Sequence, residues 1–274
     1  MERLTYREYH NALKQLGISY LGKHSQSAKM QLSSKNGTIT YCLYLAPWNI
    51  SGHQVCPAGA YCHAHCLNAS GRNRCNIATR GFEHSHINVS RIKKTRLFYD
   101  NRELFMAILI YEIEATRRYA IAHDMDFSIR LNGTSDLSPE LFIDPLTGKN
   151  ILQLFPDVPQ YDYSKVFSRV NLMERYPNYT LVFSYDGHNI DKCLEWLNRG
   201  GNVAVVFADN NRLPKEFLGY PVCDGNLWDM RYLDPKQHVV GLHYHRTAND
   251  YVNGKYVEPD TDFVIKSTDE RCVW

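Results

Sequence analysis

Residues 38–45 read TITYCLYL, and residues 46–66 continue as APWNISGHQVCPAGAYCHAHC. The first run has the β-branched and aromatic make-up of a strand, and the second is a long loop holding Cys56, Cys62 and Cys66. The rest of the chain repeats the theme of a short β-rich run ending in a polar cluster. Such runs stand at 127–131 (FSIRL), 158–163 (VPQYDY), 179–185 (YTLVFSY), 202–207 (NVAVVF) and 238–243 (HVVGLH), with helical patterns between them. The clearest helix is expected to start from Asp100 as its cap, with Glu103 three residues on, and to show Leu104, Phe105, Ile108, Tyr111, Ala115 and Tyr119 at helical spacing. A second is expected over 189–199, from a capping Asn189 to the stop at Gly200-Gly201, and a third over part of 164–175. Alternating strands and crossover helices predict an α/β fold with parallel strands, a partial (β/α) barrel of about six strands. Residues 1–36 are expected as an N-terminal extension of a helix and a hairpin-like lead-in. Residues 37–274 are expected as a single domain with the cysteine loop at 46–80 and a polar tail over 247–274.

Composition narrows the class. With 44% apolar and 22% charged residues over 274 positions, the chain is neither disordered nor a coiled coil. The balance of 31 Lys and Arg against 29 Asp and Glu gives a net charge of +2, too small a field for non-specific nucleic-acid binding. No window approaches the roughly 20 apolar residues of a membrane span, so no membrane partner is expected. The start, MERLTYREYHNALKQLG, lacks the apolar core of a signal peptide, which predicts a reducing, cytoplasmic setting. There, four of 8 cysteines clustered between Cys56 and Cys75 point to metal or redox chemistry rather than disulfides. The G-x-S-x-G elbow, Walker loop, G-x-G-x-x-G and H-E-x-x-H signatures do not occur.

In parallel α/β folds the functional groups collect at the carboxyl ends of the strands. The clusters expected there are the cysteine loop, Asn132 to Asp136, Ser164-Lys165, Ser184 with Asp186, Asp209 with Asn210, and His243 with His245. Each also has a plainer reading as a turn or helix-cap residue. The spacing Cys56-x5-Cys62-x3-Cys66 is not the C-x2–4-C pairing of a structural zinc knuckle. Three thiolates suit a [4Fe–4S] cluster with one iron left open to a small-molecule ligand or to a fourth residue, for which Cys75, His63 and His65 are candidates. Zinc, held by the three cysteines with a histidine or Cys75, is the competing metal. The pairs His84/His86 and His243/His245 have the i, i+2 spacing that places both rings on one face of a strand, where a second metal or plain hydrogen bonds are the alternatives.

The strings YLAPWNISGHQVCPAGAYCHAHCLNASGR, KTRLFYDNRELFM, FSIRLNGTSDL, FPDVPQYDYSK, GGNVAVVF and GYPVCDGNLWDMRYLDPKQHVVGL resemble the bacteriophage and prophage "gene product 88" proteins, themselves similar to radical S-adenosylmethionine (SAM) enzymes. The resemblance spans about residues 16–261. It implies that Cys56, Cys62 and Cys66 are the family's cysteine set, that Cys75 lies outside it, and that the chain sits in the host cytoplasm. It further implies SAM as ligand of the open iron, with Asn132, Ser135 and Asp136 orienting SAM, Lys165 pairing with its carboxylate or an anionic substrate, and Tyr163 and Ser184 lining the cavity. Two departures stand beside it. The common radical-SAM spacing is C-x3-C-x2-C, and no Gly-Gly-Glu run comes after the second strand. The alternative is a non-enzymatic iron–sulfur or zinc protein whose metal shapes the loop for a host protein or nucleic acid, with the basic run Arg91 to Arg96 read either as a phosphate contact or, more simply, as the solvated start of a helix.

Overall fold

The alternation in TITYC becomes β1 (Thr38–Cys42), whose five residues are all buried because both faces are covered. Tyr41 packs toward the long helix α5 (Arg102–Ala122), and Cys42 packs on Met30 of α2 (Ala28–Lys35). The coordinates are a computed structural model describing residues 3–24, 27–209, 211–259 and 261–274. β1 pairs in parallel with β2 (Asp126–Arg130), and beyond it stand β3 (Gln160–Ser164), β4 (Tyr179–Ser184) and β5 (Val203–Phe207), each parallel to the one before. β6 (Glu216–Phe217) and β7 (Tyr220–Asp224) form a hairpin, and β8 (Val239–His243) inserts between β5 and β7, parallel to both. All six β-rich runs of the sequence are therefore strands, in the order β1-β2-β3-β4-β5-β8. The sheet does not close into a barrel: β1 forms one margin and the other ends in short antiparallel pairs.

Several sequence expectations change. The cap of α5 is Asn101, whose side chain accepts from the Leu104 amide, because Asp100 is the last residue of a preceding helix, α4 (His86–Asp100). That helix and α3 (Gly71–Arg80) carry no clean apolar stripe, since Asn73, Asn88 and Lys94 are among their buried residues. The lead-in contains two helices, α1 (Tyr6–Leu16) and α2, rather than a helix and a hairpin. The expected tail is built into the sheet. A hairpin of β9 (Tyr251–Val252) and β10 (Lys255–Tyr256) precedes β11 (Val264–Ile265), which runs parallel to the end of β5, and β12 (Cys272–Val273) pairs with β6. After a single helical turn, α6 (Ile151–Leu154), the third helix resolves into a 3-10 turn, Phe167–Asn171, and the single turn α7 (Leu172–Arg175). The helix at 189–199 is α8 (Ile190–Asn198), ended by Gly200 at φ 86°.

Two buried carboxylates hold the first half together. Glu112 of α5 accepts from Tyr41 Oη (2.7 Å), the Leu21 and Gly22 amides (both 2.8 Å) and Tyr9 Oη (2.9 Å), joining α1, the lead-in and β1 to one helix. β2 and β3 share only the register pair Ile129↔Gln160, and Asp162 supplements it. Its Oδ1 accepts from the Asn132 amide at 2.8 Å and its Oδ2 from Asn132 Nδ2 at 3.0 Å. Burial pushes the Asp162 carboxyl up to about 7, against the opposing pull of Arg130 and the Asn132 donors.

Glu112→Ala leaves two buried amides and the Tyr41 hydroxyl without acceptors, so urea denaturation is expected to show a loss of about 3–5 kcal/mol. Tyr9→Phe removes one half-buried donor and should cost about 1 kcal/mol. For Asp162 the folded state keeps its proton up to about 7 while the unfolded chain releases it near its ordinary value of 3.8. Between those limits the native state binds more protons, so this group's contribution to stability falls as pH rises through that window. Asp162→Asn should therefore flatten the pH–stability curve between pH 4 and 7, by on the order of 2–4 kcal/mol across the window, in urea titrations at successive pH values.

Candidate functional site

Because the strands are parallel, their carboxyl ends share one edge, and the cysteine loop lies across it. The loop touches the segment after β2, where the Asp136 amide donates to Val55 O (2.8 Å) and Cys56 Sγ lies 3.9 Å from Thr134 O. It touches the turn after β4, where Tyr61 packs on His188 with ring centroids 3.9 Å apart. It is also held by the segment after β8, where Asn249 Nδ2 donates to Ala64 O (2.6 Å) and Ser70 bridges to Thr247.

The three thiols are brought close enough that Cys62 and Cys66 each raise Cys56, and Cys62 raises Cys66. Burial dominates, pushing the Cys56 thiol up to about 12 and the Cys66 thiol upward. Backbone donors oppose it: the Trp48 amide points at Cys56 Sγ (3.4 Å) and the Asn68 amide at Cys66. Arg91 and Lys165 add positive charge beside Cys66. Trp48 holds φ at 56°, an uncommon value for a large residue, while its ring stacks obliquely on His63 at 4.7 Å. Cys62 packs against Tyr244, Phe263 and Val264. Cys75 is exposed on α3. Among the described residues, no three His, Cys, Asp or Glu side chains converge on a point that one metal ion would occupy.

The polar residues divide into two sets. Asn132, Ser135, Asp136 and Lys165 meet in one network: Ser135 Oγ donates to Asn132 Oδ1 (2.8 Å), and Asp136 accepts from Ser164 Oγ (2.7 Å), the Lys165 amide (3.0 Å) and Arg169. Asn132 is saturated, its amide group bonded to Leu137 O and Asp162 and its oxygen to Ser135 and the Leu137 amide. The Lys165 ammonium extends past this network to sit 5.4 Å from the Phe263 ring centre. Tyr163 lies on the opposite face of the sheet, packed with Val182, and Ser184, two residues beyond Val182, shares that face. There residues 225–234 cross the sheet: Asp229 pairs with Arg130 (2.7 Å) and accepts from Tyr161 Oη (3.1 Å). Burial pushes the Tyr163 phenol up to about 12.

The histidines and the basic run read differently in three dimensions. His84 and His86 are exposed, at a turn and the first turn of α4, so their rings share no strand face. His243 Nδ1 bonds Asp209 O at 2.8 Å, and Asn210 lies outside the described residues. His65 Nδ1 is 3.1 Å from Tyr244 Oη, whose proton goes to Asp250 at 2.7 Å. The basic run faces inward as much as outward. Arg91 lies over the Tyr44 ring and bonds Asn68, Lys94 is buried over Tyr20 with burial lowering its ammonium to about 8, Lys93 donates to Gly17 O and Arg96 to Ser51 O. Lys94 is thus an interior charge, while Lys93 and Arg96 stay exposed.

Sequence reasoning missed Trp48, Tyr244, Asp250 and Phe263. Only Phe263 carried a signal, the apolar run FVI at 263–265 that becomes β11. No helix among the described residues is long and apolar enough to cross a membrane. No curated protein and no solved structure gives a match to the chain. The family model described as Gene product 88 matches residues 13–259, which include the cysteine loop and every parallel strand from β1 to β8. The chain belongs to the Gene product 88 family.

Proposed function

We propose that Cys56, Cys62 and Cys66 hold a [4Fe–4S] cluster and that the protein is radical-SAM-like, its sheet curved as a partial barrel. The observation that carries this reading is the group of three thiols, laid by one loop over the strand ends, in which Cys62 and Cys66 raise Cys56 and Cys62 raises Cys66. The donor chemistry fits. Zinc would need four donors within about 2.3 Å of one point, whereas in a cluster each thiolate takes its own iron and the sulfurs need not converge. A cluster held by three thiolates leaves one iron to take a chelating ligand such as SAM and can supply that ligand with an electron.

The chain's own residues prepare the place. The Trp48 and Asn68 amides donate to Cys56 and Cys66, a contact that strengthens when the thiols lose their protons. Arg91 offsets part of the resulting negative charge. Tyr244, Phe263 and Val264 cover the Cys62 side with apolar surface and restrict water there. The reach of residues 225–234 to Arg130 on β2 and Tyr161 on β3 supports the curvature.

One observation favours a second reading, a non-enzymatic metal protein. Asn132 and Asp136, expected to orient SAM, already spend their hydrogen bonds inside the 132–137 loop and on β3. Anaerobic reconstitution with iron and sulfide separates the two. The wild type should bind both, Cys56→Ala, Cys62→Ala and Cys66→Ala should each lose them, and Cys75→Ala should keep them. Added SAM should change the electron paramagnetic resonance spectrum of the reduced protein. Binding of iron without a SAM effect supports the second reading, and zinc with no iron or sulfide removes the cluster altogether.

A further inference from the structure

Beside the cysteine loop, on the side away from residues 225–234, the turn after β3 and the helix α8 border an open cleft of about 760 Å³. Pro57 and Ala58, between the first two cysteines of the loop, form one end of it. Its charge is uneven. Lys165, Lys192 and Arg199 line it against a single carboxylate, Glu195. Glu195 lies 3.6 Å from Arg199, which also faces Glu174 at 3.6 Å, so those charges offset one another. Lys165 and Lys192 have no carboxylate within ion-pair distance among the described residues. They come from different elements, Lys165 from the strand end and Lys192 from the exposed first turn of α8. Val166 and Phe167 give the cleft wall an apolar surface, with Val170 buried behind them.

Two uncompensated ammonium groups beside an apolar wall define a ligand class. A single carboxylate would balance one of them, whereas a phosphate monoester carries −1.5 to −2 at neutral pH and balances both. The Phe167 ring and its aliphatic neighbours suit an organic body, and the volume lies within the range of small-molecule sites. We propose that this cleft binds an organic phosphate of about nucleotide size, its phosphate held between Lys165 and Lys192. The site goes beyond the metal centre, because both lysines and the apolar wall stand on the β3 turn and α8, and only Pro57 and Ala58 belong to the cysteine loop.

AMP serves as the probe, with adenosine and inorganic phosphate as its two halves. Titration calorimetry of the full chain at low salt should show saturable AMP binding, tighter than that of either half and weakened by added salt. Lys192→Ala, on an exposed helix surface where folding is not at stake, should weaken AMP by about tenfold, and Lys192→Arg should largely restore it. Lys165→Met with Lys192→Ala should abolish it. Cys62→Ala should bind AMP as the wild type does, so loss of iron with retained AMP binding separates this site from the cluster. The proposal is overturned by an absence of saturable AMP binding, by affinity indifferent to both lysines, or by inorganic phosphate binding as tightly as AMP.

Discussion

Parallel pairing is the constraint on which the rest of this molecule depends. A sheet that runs β1 to β5 and then β8 in one direction sends six carboxyl ends to the same edge. The ladder stops there, so whatever lies on that edge must be fixed by side chains and loop amides. Asp136 and Asp162 do this at the β2 and β3 ends, the carbonyl of Ser184 accepts from Asn189 at the end of β4, and Asp250 gathers Tyr244 and the Thr247 amide after β8. Each is a buried or nearly buried polar group with its partners supplied, as burial demands. The cysteine loop is thus set on a rim of satisfied carboxylates rather than on apolar packing alone.

How much of the fold was legible in the chain depends on the work each residue does. The six parallel strands were readable because buried parallel strands must be continuous apolar runs, and NVAVVF and HVVGLH look like nothing else. Helices α3 and α4 were not, because their inner faces carry Asn73, Asn88, Arg91 and Lys94, polar residues made tolerable only by one another and by the rings of Tyr20 and Tyr44. A pattern rule sees a polar segment where the structure has a polar interior. The same blindness hid the burial of Lys94 within the 91–96 run.

The candidate site was half legible. Spacing grouped Cys56, Cys62 and Cys66 and left Cys75 as a candidate fourth ligand; in the structure Cys75 is exposed on α3 while the other three are part-buried. The polar residues at the strand ends were also located correctly, but position did not reveal occupancy. Asn132 and Asp136 stand at the rim and are engaged there, while Lys165 alone of that set extends its charge toward Cys66. Tyr163 and Ser184 occupy the other face because side chains alternate along a strand, so a residue at a strand end is committed to one side by the parity of its number.

The cover over the cysteines comes from the far end of the sequence. Cys62 packs under Tyr244 and Phe263, and β11 can join β5 only once residues 264–265 exist. A ribosome releases the chain at roughly 5–20 residues per second, N-terminal part first. The cysteine loop therefore emerges about ten seconds or more before the residues that roof it, since about 200 positions separate Cys62 from Phe263. During that interval Cys62 lacks its apolar neighbours, and completion of the chain supplies them.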